Sequence, residues 1–198
     1  MRLFKMSSSK QYTGRIFIIS APTGTGKTTL VKRLVQELSN VKPSISYTTR
    51  KPRVGETDGV DYNFIDKNDF EAKIKAGEFL EYVELYGFYY GTSRVWIEEQ
   101  QQKGYHIVLV IDTQGGLKLK DKIQGTFIFL APPSLEELRK RLLARQTESL
   151  SVIEERLSCV SREIEQGKKY DYKIINEQLD VAYEALKSII VAEMHRIY

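Results

Sequence analysis

Ser20-Ala-Pro-Thr-Gly-Thr-Gly-Lys-Thr-Thr29 decides the architecture through what stands on either side of it. Before it runs an apolar, strand-like segment, Arg15 to Ser20. After it Leu30, Leu34 and Leu38 recur every four residues, with Val31 and Val35 beside them, which predicts a buried helix from about Thr28 to Leu38. A glycine-rich loop between a strand and a helix is the setting in which backbone amides cradle phosphate. Gly24 and Gly26 let those amides turn inward, Lys27 brings a point charge to the β- and γ-phosphate oxygens, and Thr28 offers a hydroxyl to Mg2+. The candidate phosphate site is thus Ala21, Pro22, Thr23, Gly24, Thr25, Gly26, Lys27, Thr28 and Thr29. Ala21 stands where the pattern opens on glycine, which costs little if that residue keeps a negative φ.

Outward from the loop, further strand-like runs appear at Tyr105 to Ile111, Thr126 to Leu130 and Tyr172 to Ile175, with helical patterns between or after them. This alternation predicts an α/β fold, a parallel sheet covered by helices on both faces. Two helices announce their starts with capping boxes, Ser134 to Glu137 and Ser151 to Glu154, and a last helix is expected from Leu179 to Tyr198. The strand at Tyr105 delivers Asp112 to the carboxyl edge of the sheet, where ligands of doubly wound folds bind. There it suits either a water of the Mg2+ shell or an acceptor base.

The chain has 198 residues, 41% hydrophobic and 28% charged, the size of one main domain. No apolar run approaches the roughly 20 residues of a membrane span. Residues 1–13 lack a secretory signal's apolar block and are expected to be a loose leader to a single domain over 14–198. The lone Cys159 excludes an internal disulfide and a cysteine-rich metal site, and fits a reducing compartment, with the cytoplasm as default. The net charge of +4 is spread without a Lys/Arg block, so neither a nucleic-acid nor a membrane partner is expected.

Between the first helix and Tyr105 the pattern changes to short strand pieces, Ser44 to Thr49, Tyr62 to Ile65, Phe79 to Leu85 and Tyr89 to Thr92. Six of the 12 tyrosines fall there, which marks an insertion of about 44–93 into a core of 14–43 and 94–198. Within it, Thr48-Thr-Arg-Lys-Pro-Arg-Val-Gly-Glu-Thr-Asp-Gly-Val-Asp-Tyr-Asn-Phe64 resembles the signature of guanylate kinases. The resemblance continues through Phe79-Leu-Glu-Tyr82, Tyr89-Tyr-Gly-Thr92, Ile111-Asp-Thr-Gln-Gly115, Ala131-Pro-Pro-Ser134 and Asn176, nearly all of residues 14–190. It implies a P-loop kinase core with an inserted GMP-binding subdomain and a helical lid at about 136–160. The implied reaction is Mg2+-dependent transfer of the γ-phosphoryl group of ATP to GMP, with dGMP as a further acceptor.

The residue chemistry agrees with that implication. Arg50 and Arg53 can each donate a bidentate fork to a 5′-phosphate, and the Tyr62 and Tyr90 hydroxyls add neutral donors. Guanine presents N1–H beside its 2-amino group, an edge that a carboxylate such as Glu81 accepts in bidentate fashion. Similarity to the family adds Ser46, Gly91, Thr92 and Asp112 to the GMP site and Asn176 to the ATP site. It also implies a lid in which Arg141, Arg145 and Arg156 join Lys27 and Arg50 in catalysis, Arg145 also touching ATP. The family often carries an acidic residue where this chain has Val110, so a carboxylate at that edge is missing. Two other readings stay open, a protein-binding module of guanylate-kinase type and a P-loop kinase for another acceptor. Monomer and homodimer are equally compatible with the sequence.

Overall fold

The computed structural model describes residues 14–144 and 149–197. The expected leader, 1–13, and Arg145 lie outside these. In chain order the elements are β1 (Ile16–Ser20), α1 (Lys27–Glu37), β2 (Val41–Ser44), β3 (Tyr47–Thr48), β4 (Asn63–Phe64), α2 (Lys67–Lys75), β5 (Phe79–Leu85) and β6 (Phe88–Ser93). There follow α3 (Arg94–Gln102), β7 (His106–Val110), α4 (Thr113–Leu119), β8 (Thr126–Ala131), α5 (Leu135–Ala144), α6 (Leu150–Gly167), β9 (Tyr172–Ile175) and α7 (Leu179–Met194).

The main sheet runs β2-β7-β1-β8-β9, parallel throughout, so β1 and its loop sit at the centre. Strict alternation along each strand splits the core into two layers. Phe17 and Ile19, Val108, and Ile128 and Leu130 pack with Leu30, Val31 and Leu34 of α1 and Tyr183, Leu186 and Ile190 of α7. Ile16 and Ile18, Ile107 and Leu109, and Phe127 and Phe129 pack against Ile97 of α3, Leu119 of α4 and Tyr170. Full burial of one such side chain contributes about 1.5–3 kcal/mol, so this double layer is what anchors the loop after β1.

A second sheet, β4-β3-β6-β5, is formed within residues 47–93. Its β5–β6 hairpin turns through Tyr86 and Gly87, with φ of 53° and 77°. Positive φ at both positions is the signature of a type I′ turn. Ser44, expected with the insertion's strands, instead closes β2 at the edge of the main sheet, pairing with Leu109. Helices α2 and α3 were not read from sequence, because short polar helices leave little apolar periodicity. Of the expected capping boxes, Ser134 accepts from the Glu137 N–H at 3.0 Å, but the Glu137 carboxylate turns to Arg141 instead of back to the cap. The second box is corrected. Helix α6 starts two residues earlier and is capped by Ser149, leaving Ser151 inside the first turn. The final helix ends at Met194, where the backbone turns at His195.

Candidate nucleotide site

The loop after β1 is held by its glycines and by Asn176. Gly24 and Gly26 have φ of 91° and 101°, and Gly26 caps α1 from the left-handed region. A Cβ at Gly26 would stand 2.6 Å from Asn176 Nδ2, the atom that donates to Thr25 O at 2.6 Å. The loop thus requires glycine for its backbone and for the approach of its neighbour. Ala21 is buried and keeps a negative φ, since among the described residues only Tyr86 among non-glycines is positive. Lys27 Nζ donates to Ala21 O.

A cavity of about 480 Å³ opens beside this loop. Pro22, Thr23, Gly24, Gly26, Lys27 and Thr28 line it on one side. Ser46, Arg50, Arg53, Tyr62, Tyr90 and Gly91 line it on the other, with Glu81, Asp112 and Arg156 between. Residues as far apart in sequence as Pro22 and Arg156 thus face one space, although no two of the three groups share a helix or strand. The Tyr62 and Tyr90 rings meet edge to face at 6.0 Å, and burial raises the Tyr62 pKa. The Tyr62 hydroxyl therefore stays a protonated donor at neutral pH.

Glu81 is buried in β5. Its Oε1 accepts from Thr92 Oγ1 at 2.7 Å, while Oε2 has no hydrogen-bond partner among the described residues. Burial, helped by the nearby Asp112 charge, pushes its pKa up to about 7 despite the Thr92 bond. An orphaned acceptor at that depth costs about 1–3 kcal/mol, and a ligand donor would relieve it. Asp112 sits at the N-terminus of α4, its Oδ1 accepting from the N–H groups of Gln114 and Gly115 at 2.7 and 3.2 Å. One oxygen caps the helix. The carboxylate as a whole still faces the cavity beside Glu81.

A smaller cavity of about 360 Å³ adjoins the far side of the loop, lined by Gly24, Thr25, Gly26, Thr29, Arg141 and Asn176 among others. Arg141, grouped with Lys27 by sequence reasoning, lies here. Its guanidinium donates to Glu137 Oε1 at 2.9 Å and to the carbonyls of Asn176 and Glu177 at 2.9 and 3.4 Å. Arg156 is the described lid arginine that reaches the main cavity, its guanidinium 5.7 Å from the Tyr86 ring centroid.

Cationic and hydroxyl side chains on two sides of one cavity, with the Glu81 and Asp112 carboxylates between them, are groups suited to phosphate-bearing ligands. The family model "Guanylate kinase" matches residues 13–193. The chain belongs to the guanylate kinase family. A guanylate kinase of Protochlamydia amoebophila is 60% identical over 95% of both chains. One from Clostridioides difficile is 44% identical over 93% of this chain and 90% of its own. The crystal structure of guanylate kinase from Anaplasma phagocytophilum superposes with a TM-score of 0.78 at 34% identity, covering 92% of this chain and 87% of that one.

In this member of the guanylate kinase family, Glu56 also lines the cavity, and further partly buried groups stand around it. Glu56, not singled out in sequence, grips Arg50 through both carboxylate oxygens at 2.8 and 2.9 Å. Glu163 shares a face of α6 with Arg156, and burial raises its pKa against the pull of Lys27. Tyr170 Oη donates to Ser20 Oγ at 2.8 Å, and Ser20 Oγ in turn donates to Asp112 O at 3.3 Å. This ties the ends of β1 and β7 behind the site. No spacing rule flags these residues, because loops and helices bring them together only in three dimensions. Among the described residues, no helix is long and apolar enough to cross a membrane.

Proposed function

We propose that this chain transfers the γ-phosphoryl group of ATP to GMP, giving ADP and GDP, with dGMP as an alternative acceptor. The observation that carries the reading is the buried Glu81, with one oxygen anchored by Thr92 and the other orphaned, in the same cavity as Arg50 and Lys27. The guanine edge supplies two donors to that carboxylate, and adenine would present the N1 lone pair instead. Arg50, Arg53, Tyr62 and Tyr90 take the 5′-phosphate, with Ser46, Gly91, Thr92 and Asp112 completing the acceptor site. The loop from Ala21 to Thr29 takes the phosphates of ATP, and Arg141 and Asn176 border the nucleoside end of the donor.

The acceptor's phosphate oxygen is already anionic, so no general base is needed. What the protein supplies is alignment and charge. Lys27 and Arg156 stand where negative charge spreads over the transferred group, in a cleft that can exclude water as a competing acceptor. The Thr28 hydroxyl is exposed on the cavity beside Lys27, a hard oxygen donor suited to Mg2+. When bound, Mg2+ supplies neutralisation of the β- and γ-phosphate oxygens. A cytoplasmic location accords with the single thiol and with substrates of this kind.

The test is an ADP-release assay with GMP, dGMP, AMP, UMP and dTMP as acceptors. The expected result is turnover with GMP, and kcat/KM for AMP lower by a factor on the order of 10⁴. Comparable rates with AMP would overturn the acceptor assignment. Tight GMP binding without turnover would point to the protein-binding module instead.

A further inference from the structure

We propose that Glu56 is a positioning residue of the acceptor site, presetting the Arg50 guanidinium so that a single edge of it is left for the acceptor's phosphate. The inference rests on the reading of Arg50 as a phosphate contact. A planar guanidinium carries five N–H donors. Glu56 Oε1 accepts from Nη2 at 2.8 Å and Oε2 from Nη1 at 2.9 Å, while Lys51 O takes the second Nη1 hydrogen at 2.7 Å. Three of the five are thereby committed. The remaining two, Nε–H and the outer Nη2–H, lie parallel on the other edge of the plane and match two oxygens of a phosphate, with the Tyr90 hydroxyl as a further polar neighbour of the guanidinium.

Glu56 is itself held. Its Oε2 also accepts from the Arg53 N–H at 2.8 Å, and its own N–H donates to Arg53 O at 3.1 Å. The segment from Arg50 to Glu56 therefore closes on itself through one carboxylate. The two side chains are only 11% and 19% exposed, so solvent competes weakly for the fork. The Tyr62 and Phe64 rings, 5.4 and 5.8 Å from the guanidinium carbon, bound the space it can move into. A long, flexible side chain is thus held before the ligand arrives, which lowers the ordering cost of binding.

The sign of the effect separates presetting from simple charge. A carboxylate beside an anion site repels phosphate, so on charge alone Glu56→Gln should tighten GMP binding. Presetting requires the opposite. Calorimetry on the full chain, with GMP and with guanosine, compares wild type, Glu56→Gln, Arg50→Lys and the double variant. The expected result is a loss of GMP affinity in Glu56→Gln of about tenfold or more, from one charge-assisted bond lost and its edge released. Guanosine affinity should stay within about twofold, and in the Arg50→Lys background the same change should matter less than about threefold, since an ammonium has no edges to preset. Glu56→Asp, which keeps the charge but draws the carboxylate back by one methylene from the two Nη groups, should also weaken GMP and serves where the glutamine variant folds poorly. Unchanged or tighter GMP binding overturns the inference, and so do equal losses for GMP and guanosine, which would mean a collapsed loop. A wild-type chain that binds no GMP brings down the proposed function itself, whereas a wild type that binds beside an indifferent Glu56→Gln brings down this inference alone.

Discussion

At the scale of single residues, the proposed role of Glu81 would link stability to recognition. Its folded pKa of about 7 lies above the ordinary 4.5, so between those values the folded chain holds a proton that the unfolded chain has lost. Stability attributable to this group therefore falls as pH rises from about 4.5 to 7, by roughly 3 kcal/mol in total, and the cost is fully present above 7. Glu81→Gln is expected to raise the Tm at pH 8 and to lower kcat/KM for GMP by roughly 10² or more, one acceptor having become a donor facing guanine. Thermal scans and steady-state kinetics on the same variant check both halves, and a KM for ATP that rises as much as that for GMP would refute the assignment. In the proposed reading, guanine is bound by the ionised carboxylate. GMP affinity should thus weaken towards tenfold per unit as pH drops below about 7, measured by calorimetry in buffers of matched ionic strength. Lys27→Ala, by contrast, removes a partly exposed loop cation with little packing, so turnover should be lost while the Tm stays within a few degrees.

At the scale of elements, the phosphate loop and the β5–β6 hairpin both depend on backbone in the left-handed region. Gly26 combines that conformation with a close neighbour, Asn176, so Gly26→Ala faces strain and a displaced side chain together. A cost of roughly 1–2 kcal/mol in stability is expected, with a larger loss in ATP affinity as the Asn176 bond to Thr25 O is pushed away. Denaturant melts and nucleotide titration test this. An alanine variant with wild-type ATP binding would show that the loop tolerates the change. At the hairpin the strained position is occupied by a tyrosine, Tyr86, in a turn that ordinarily takes Asn or Gly. A contact that offsets this is the Arg156 guanidinium facing its ring. Tyr86→Asn should therefore ease the turn while freeing α6 from the hairpin tip.

For the molecule as a whole, two contacts join residues within 47–93 to elements across the cleft over long distances. The Lys32 to Asp61 pair spans 3.8 Å with the lysine 65% exposed, worth at most about 1 kcal/mol, and the Arg156 guanidinium lies 5.7 Å from the Tyr86 ring centroid. Little opposes closure once a dianion bridges the sides, so GMP is expected to draw the second sheet towards the core and an ATP analogue to bring α5 and α6 over the phosphates. Small-angle scattering on the apo, GMP-bound and doubly bound chain would show a stepwise fall in radius of gyration, and an unchanged profile would count against it. Much of this molecule is legible in its sequence because the deciding signals are local. The strand, loop and helix around Lys27 and the four apolar strand runs are read from neighbours a few residues apart, and the acceptor signature from one contiguous stretch. Other features were beyond such reading. Nothing in the order of residues says that Arg141 turns away to the carbonyls of Asn176 and Glu177, or that α6 is capped by Ser149 and not Ser151. Nor does it say that Glu56 reaches back to Arg50 or that Glu81 lacks a second partner. A side chain's partner and the dielectric around a carboxylate depend on which distant segments fold over it, so composition and spacing determined the architecture and the kinds of groups present, while burial and direction were decided by tertiary packing alone.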